Sequence, residues 1–326
     1  MQKVGLIGSD NSHVERFTEI LNLDDHPSYW KNSNAAVWAI WGEDEARTRE
    51  AASAGQIPVI ASSPQEVAEQ CDLVFTISRR ADVHLDHARP VIEAGKPLFV
   101  DKPFTQTPDQ ARELLSLVKK AGIPMTSFST LRYGSAARIF KNGMGEAGLI
   151  KYATYLGPGT RQNPYGGIIF YGIHIVELML HFHGPDVISI KAVENPPNGT
   201  KSNVSVTCCY SDGTLVNLAI LGDTSYLFHM LGVGSEGIVE IPGTARNYAS
   251  DAASKARAEG LKLGSNIASE GVPEADHYEN GVQQIFAVLR REKPSLPYDH
   301  ILRSIQICAA IEKSLSEAST IDPRKL

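Results

Sequence analysis

Through the first 128 residues, short apolar runs alternate with amphipathic segments. The runs Lys3 to Ile7, Ala36 to Trp41, Pro58 to Ala61, Leu73 to Ile77, Leu98 to Val100 and Pro124 to Phe128 each have the length of a buried strand. Helical patterns lie between them, clearest at Val14, Phe17, Ile20 and Leu21 and at Ala111, Leu114, Leu115 and Val118. Each set has the spacing of one apolar helix face. This alternation predicts an α/β Rossmann-type doubly wound parallel sheet, because parallel strands need crossover connections and helices then cover both faces. After Phe128 the pattern changes. A helical stretch from Gly167 to His183 precedes alternating runs at Val187 to Val193, Val204 to Tyr210, Thr214 to Leu221 and Ile238 to Ile241. Ser211-Asp212-Gly213 between two of these is a hairpin signal. Two closing helices follow, at Tyr278 to Arg291 and Asp299 to Glu317, separated by the breaker Pro294 to Pro297. The expected organisation is a doubly wound parallel-sheet domain over residues 1–128, then an α+β domain with a mostly antiparallel open sheet over residues 129–326.

Composition narrows the partners. A chain of 326 residues suits about two domains, and 42% hydrophobic with 21% charged residues is ordinary for a globular protein. Thirty-seven acidic against 31 basic residues give a formal charge of −6, so there is no basic footprint for nucleic acid or an anionic membrane. A small molecule is the expected partner. The four cysteines form no C-x-x-C pair, which signals neither a disulfide framework nor a zinc site. No metal is expected, and Asp24-Asp25-His26 reads as a solvated loop. Arg290, Arg291 and Lys293 read as cations complementing a helix C-terminus. Ile168 to Phe182 is too short and too interrupted by His174, Glu177 and His181 for a membrane span, and reads as a buried helix. The apolar run after the first three residues is too short for a signal peptide, so the expected location is cytoplasmic.

The first strand runs into Gly8-Ser9-Asp10-Asn11-Ser12-His13 and then a helix, the order of a dinucleotide-binding unit, but the glycines are degenerate. Against G-x-G-x-x-G, Gly8 holds the first position while Asp10 and His13 replace the second and third glycines. Ser12 with Glu15 has capping-box spacing, which predicts a helix N-terminus at Ser12 with amides and a dipole end available to an anion. After the second strand come Gly42, Glu43 and Asp44; either carboxylate suits ribose hydroxyls. No arginine follows at once to hold a 2′-phosphate, so NAD is favoured over NADP.

The stretch Cys71 to Phe104, C-D-L-V-F-T-I-S-R-R-A-D-V-H-L-D-H-A-R-P-V-I-E-A-G-K-P-L-F-V-D-K-P-F, closely resembles the glucose-fructose oxidoreductase, inositol dehydrogenase and rhizopine-catabolism (Gfo/Idh/MocA) family. Asp101-Lys102-Pro103 stands where that family carries E-K-P, and the likeness continues through Arg132-Tyr133, Gly145 to Gly148 and Gly172-Ile173-His174. The resemblance implies an NAD(P)-dependent oxidoreductase acting on a sugar, polyol or related hydroxy compound, assembled as a homodimer or homotetramer. It implies Lys102 and His174 as catalytic residues acting on one substrate atom. It further implies cofactor contacts from Gly8, Asp10, Ser12, His13, Glu43, Ser78, His84 and Asp101. The family's helix reads D-x-G-x-H-x-x-D; here Phe170 replaces the first aspartate, while Gly172, His174 and the final acid Glu177 remain. Glu177, one turn on, is placed to brace His174. Arg161, Tyr165 and Tyr171 are the candidate substrate contacts. Two other functions share the fold: a glycosidase using NAD without net redox change, and a nucleotide-sensing regulator. The altered glycine turn and Phe170 favour these, whereas retention of Lys102 and His174 favours catalysis.

Overall fold

Six strands, β1 (Gln2–Ile7), β2 (Ala35–Trp41), β3 (Val59–Ile60), β4 (Leu73–Thr76), β5 (Leu98–Val100) and β6 (Met125–Thr126), form an all-parallel sheet in the order β3-β2-β1-β4-β5-β6. The connecting helices are α1 (His13–Leu21), α2 (Glu45–Ala54), α3 (Pro64–Gln70), α4 (His84–Glu93) and α5 (Pro108–Ala121). This is the doubly wound sheet that the strand and helix alternation predicts. Its central strands are buried along their length, as in Leu73 to Thr76 and Leu98 to Val100, because helices cover both faces. The predicted helix faces are the buried ones: Val14, Phe17, Ile20 and Leu21 on α1, and Ala111, Leu114, Leu115 and Val118 on α5. Strand order reverses between β1 and β4, and in such sheets the crevice beyond the strand C-termini at that point receives ligands.

The computed structural model describes residues 1–197, 202–222, 224, 227–242 and 276–326. Residues 1–128 with 279–301 form one unit, and residues 129–278 with 302–326 the other. The return of 279–301 has a packing cause. Helix α8 (His277–Leu289) brings Phe286 against Phe75, with ring centroids 6.0 Å apart, and against Trp30 at 5.5 Å. Phe286 thereby joins an edge-to-face core in which Phe75 meets Phe17 at 5.1 Å and Phe99 at 5.5 Å. Arg290 donates to Gln2 Oε1 at 2.7 Å and to the Ser33 carbonyl at 2.6 Å, so this cation ties the segment to the first strand as well as ending a helix.

In the second unit, α6 (Ser135–Glu146) precedes β7 (Ile150–Pro158), α7 (Ile169–His183), β8 (Val187–Asn195), β9 (Asn203–Tyr210), β10 (Leu215–Leu221), β11 (His229–Gly234) and β12 (Ile238–Ile241). Helix α9 (Tyr298–Glu317) follows later in the chain. The sheet order is β12-β11-β7-β10-β9-β8, antiparallel except where β10 runs parallel to β7. Helix α7 packs on β7 and β10, where Gly172 lets it approach: a Cβ there would meet Ile220 at 3.1 Å. Val204, Val206 and Cys208 lie on the covered face, while Leu215, Asn217 and Ala219 stand opposite Cys209, Thr207 and Ser205 on the open one. Among the described residues, no helix is long and apolar enough to cross a membrane, and no three potential ligands cluster for a metal.

Candidate functional site

In the first unit the site residues gather at the C-terminal ends of β1, β4 and β5. Gly8 has φ +111°, and a Cβ there would stand 2.4 Å from the Ser78 backbone nitrogen, so the turn after β1 passes the loop after β4 at a distance only glycine permits. The helix entry differs from the expected capping box. Ser12 makes no side-chain capping bond; Asn11 Oδ1 accepts from His13 N at 2.6 Å while its amide donates to the Ile77 carbonyl. Glu15 is drawn off by an ion pair with Arg47 of α2. Asp10, which would repel a phosphate if it pointed inward, instead accepts from Arg79 N at 2.9 Å. Among the described residues, nothing accepts from the backbone N–H groups of Asp10, Asn11 and Ser12. Three successive amides at a helix N-terminus beside a glycine form an anion cradle, so this turn fits a pyrophosphate despite its missing glycines.

The other expected cofactor residues divide into surface and support. His84 is fully buried, with Nδ1 2.9 Å from the Pro103 carbonyl and Nε2 2.8 Å from the Ser78 carbonyl, so it staples the loop after β4 to the loop after β5. Asp101 is equally buried, its Oδ2 2.5 Å from His13 Nδ1. Burial would push the Asp101 carboxyl up, but His13 and the Lys102 ammonium and backbone hold it below the usual carboxylate range. Both residues are buried. Lys102, half-buried at the end of β5, and exposed Glu43 after β2 belong to the surface. Asp44 is committed to capping α2, accepting from Arg47 N at 3.0 Å, whereas Glu43 caps no helix. His87, absent from the sequence-derived set, links two of these groups: Nδ1 is 2.8 Å from Ser78 Oγ and Nε2 3.6 Å from Glu43. Burial and the neighbouring His84 lower its pKa, against the pull of Glu43, Asp86 and Asp10. Its only advance signal is its place three residues after His84 on one helix face.

In the second unit His174 lies on α7, buried, with Nδ1 2.7 Å from Ser129 Oγ and its ring 5.4 Å from Phe228, edge to face. Glu177 accepts from Ser129 N at 2.7 Å and lies 3.7 Å from the Arg132 guanidinium, which in turn reaches His181 Nδ1 at 3.2 Å. Ser129, a residue no motif singled out, thus contacts both His174 and Glu177. Arg161 is held in a structural clamp: Nε donates to Glu312 at 2.8 Å, Nη2 to Ser316 at 2.9 Å, and Glu194 lies at 3.5 Å. Those bonds tie Arg161 to α9 and β8. Phe170, in place of the missing acid, sits between Tyr165 at 5.1 Å and Tyr171 at 4.7 Å, all three half-exposed. The three rings make an aromatic entry to α7.

Residues 3–128 match the model of the Gfo/Idh/MocA family, an oxidoreductase family with an NAD-binding Rossmann fold. The uncharacterized oxidoreductase YhhX of Escherichia coli is 29% identical over 138 residues, covering 38% of this chain and 40% of that protein, so the match spans less than half of either. Over the whole chain the fold is that of solved dehydrogenases. A probable dehydrogenase from Thermotoga maritima superposes with a TM-score of 0.79 at 17% identity, covering 99% of each chain. The scyllo-inositol dehydrogenase of Lactobacillus casei, solved with bound NAD(H) and scyllo-inositol, superposes with a TM-score of 0.77 at 15% identity and the same coverage.

Proposed function

We propose that this chain, whose residues 3–128 match the Gfo/Idh/MocA oxidoreductases, is an NAD-dependent dehydrogenase of a sugar, polyol or related hydroxy compound. The observation that carries the reading is the amide cradle of Asp10 to Ser12 beside Gly8, with Lys102 at the end of β5 on the same sheet edge. The pyrophosphate rests on those amides and the α1 dipole, and Glu43 takes the ribose hydroxyls, which a 2′-phosphate would oppose by charge. The chemistry that NAD supplies when bound is hydride exchange with a carbinol carbon. The protein's part is to hold the substrate oxygen and to move its proton, and Lys102 and His174 share that work. Neutral inositol bound to the Lactobacillus casei enzyme supports a polyol as the substrate class. Titration of NADH and NADPH against protein fluorescence tests the reading. Saturable binding with NADH the tighter is expected; no saturable binding of either overturns it, and tighter NADPH overturns the role of Glu43.

The open sheet face supports a homo-oligomer. One row across it reads Cys209, Leu215, Tyr152, Val233 and Ile238, with Ile238 69% and Leu215 37% exposed. A row this apolar on a monomer surface is a patch to be covered, and a second copy covers it most simply. Light scattering at micromolar concentration is expected to read a dimer or tetramer; a monomer contradicts it.

A further inference from the structure

We infer that Ser129 is a positioning residue that fixes the resting tautomer of His174 with its proton on Nε2, making His174 the hydrogen-bond donor to the substrate oxygen rather than the base. This rests on the dehydrogenase reading for its meaning, though not for its test. Ser129 is wholly buried. Its backbone N–H is fixed by Glu177 at 2.7 Å, and Glu177 is itself set against Arg132, so the residue cannot turn to another neighbour without breaking a buried ionic contact. Among the described residues, His174 Nδ1, at 2.7 Å, is the one group within hydrogen-bond reach of Ser129 Oγ.

A serine hydroxyl carries one proton, and a buried hydroxyl that donates to nothing forfeits a hydrogen bond. If Nδ1 donated to Oγ, the hydroxyl proton would be left without an acceptor. With Oγ–H donating to Nδ1, both groups are satisfied, and the single proton of the neutral imidazole must sit on Nε2. A neutral imidazole carrying Nε2–H has no lone pair there to take a proton. It can still polarise an alkoxide or carbonyl oxygen by donating that hydrogen bond, which makes it an electrophile without requiring the imidazolium form.

His174 keeps its own proton, and its bond to a substrate oxygen strengthens as negative charge develops there.

Histidine-selective 15N and 13C NMR reads the tautomer directly without turnover, and His174→Gln assigns the signal by its loss. At a pH where the ring is neutral, the wild-type protein is expected to show Nδ1 unprotonated and Nε2 protonated. Ser129→Thr keeps that state, while Ser129→Ala loses the bias and shows a mixture. An Nδ1–H tautomer in the wild type overturns the inference, as does an unchanged tautomer in folded Ser129→Ala. Should the alanine variant fail to fold, the wild-type spectrum decides alone. Failure of NADH to bind would sink the dehydrogenase reading and leave this measurement untouched, so the two failures are distinguishable.

Discussion

Lys102→Met is expected to lower turnover by about 10² to 10⁴ once a substrate is in hand, the range for loss of a general acid or base. His174→Ala should lower it by at least about the lower bound of that range. Lys102 stands just past β5, half-buried and followed by Pro103, its direction constrained by a ring that cannot extend the strand ladder. Methionine keeps the length and apolar stem and removes only the ammonium. The loss should fall on kcat, with NADH affinity retained, because the cradle of Asp10 to Ser12 does not involve this side chain. Steady-state kinetics beside an NADH titration makes the separation. Near-full turnover in Lys102→Met would remove it from the chemistry; near-full turnover in His174→Ala would reduce that histidine to packing.

The second large effect is on stability. Glu177→Ala leaves the Arg132 guanidinium buried without its carboxylate and the Ser129 N–H without an acceptor. Breaking a buried pair in this way costs about 3–5 kcal/mol. At about 2–4 °C per kcal/mol, the melting transition should fall by on the order of 10 °C. Glu177→Gln, which retains an acceptor oxygen for Ser129, should lose less. Scanning calorimetry on the three proteins gives the order wild type, glutamine, alanine; an alanine variant as stable as the wild type would show that the network contributes little.

These residues mark where the sequence was legible. Parallel strands are buried on both sides, so their apolar runs stand out, and helices covering them repeat at Val14, Phe17 and Leu21 or Ala111, Leu114 and Val118. Strand β7 escaped because its buried positions include Ala153 and Gly157, too small to contrast with the half-exposed Thr154 and Leu156 between them. The capping box failed because Asn11 and Ser12 obey the same rule, and a tertiary partner, Arg47, claimed Glu15. The motif around Asp101 marks a crevice but does not say which members face it; burial separates His84 and Asp101 from Lys102. Ser129 meets His174 across 45 positions of sequence, a pairing that only the folded chain brings about.

The measurement that bears most directly on the central claim is the NADH titration extended to variants. Wild type and Lys102→Met should saturate with similar affinity. Gly8→Ala, whose added Cβ would stand 2.4 Å from Ser78 N at a φ that alanine resists, should bind at least about tenfold more weakly, a difference of roughly 1.4 kcal/mol. Equal NADH affinity in folded Gly8→Ala, or no saturable binding by the wild type, would contradict a cofactor site at this turn.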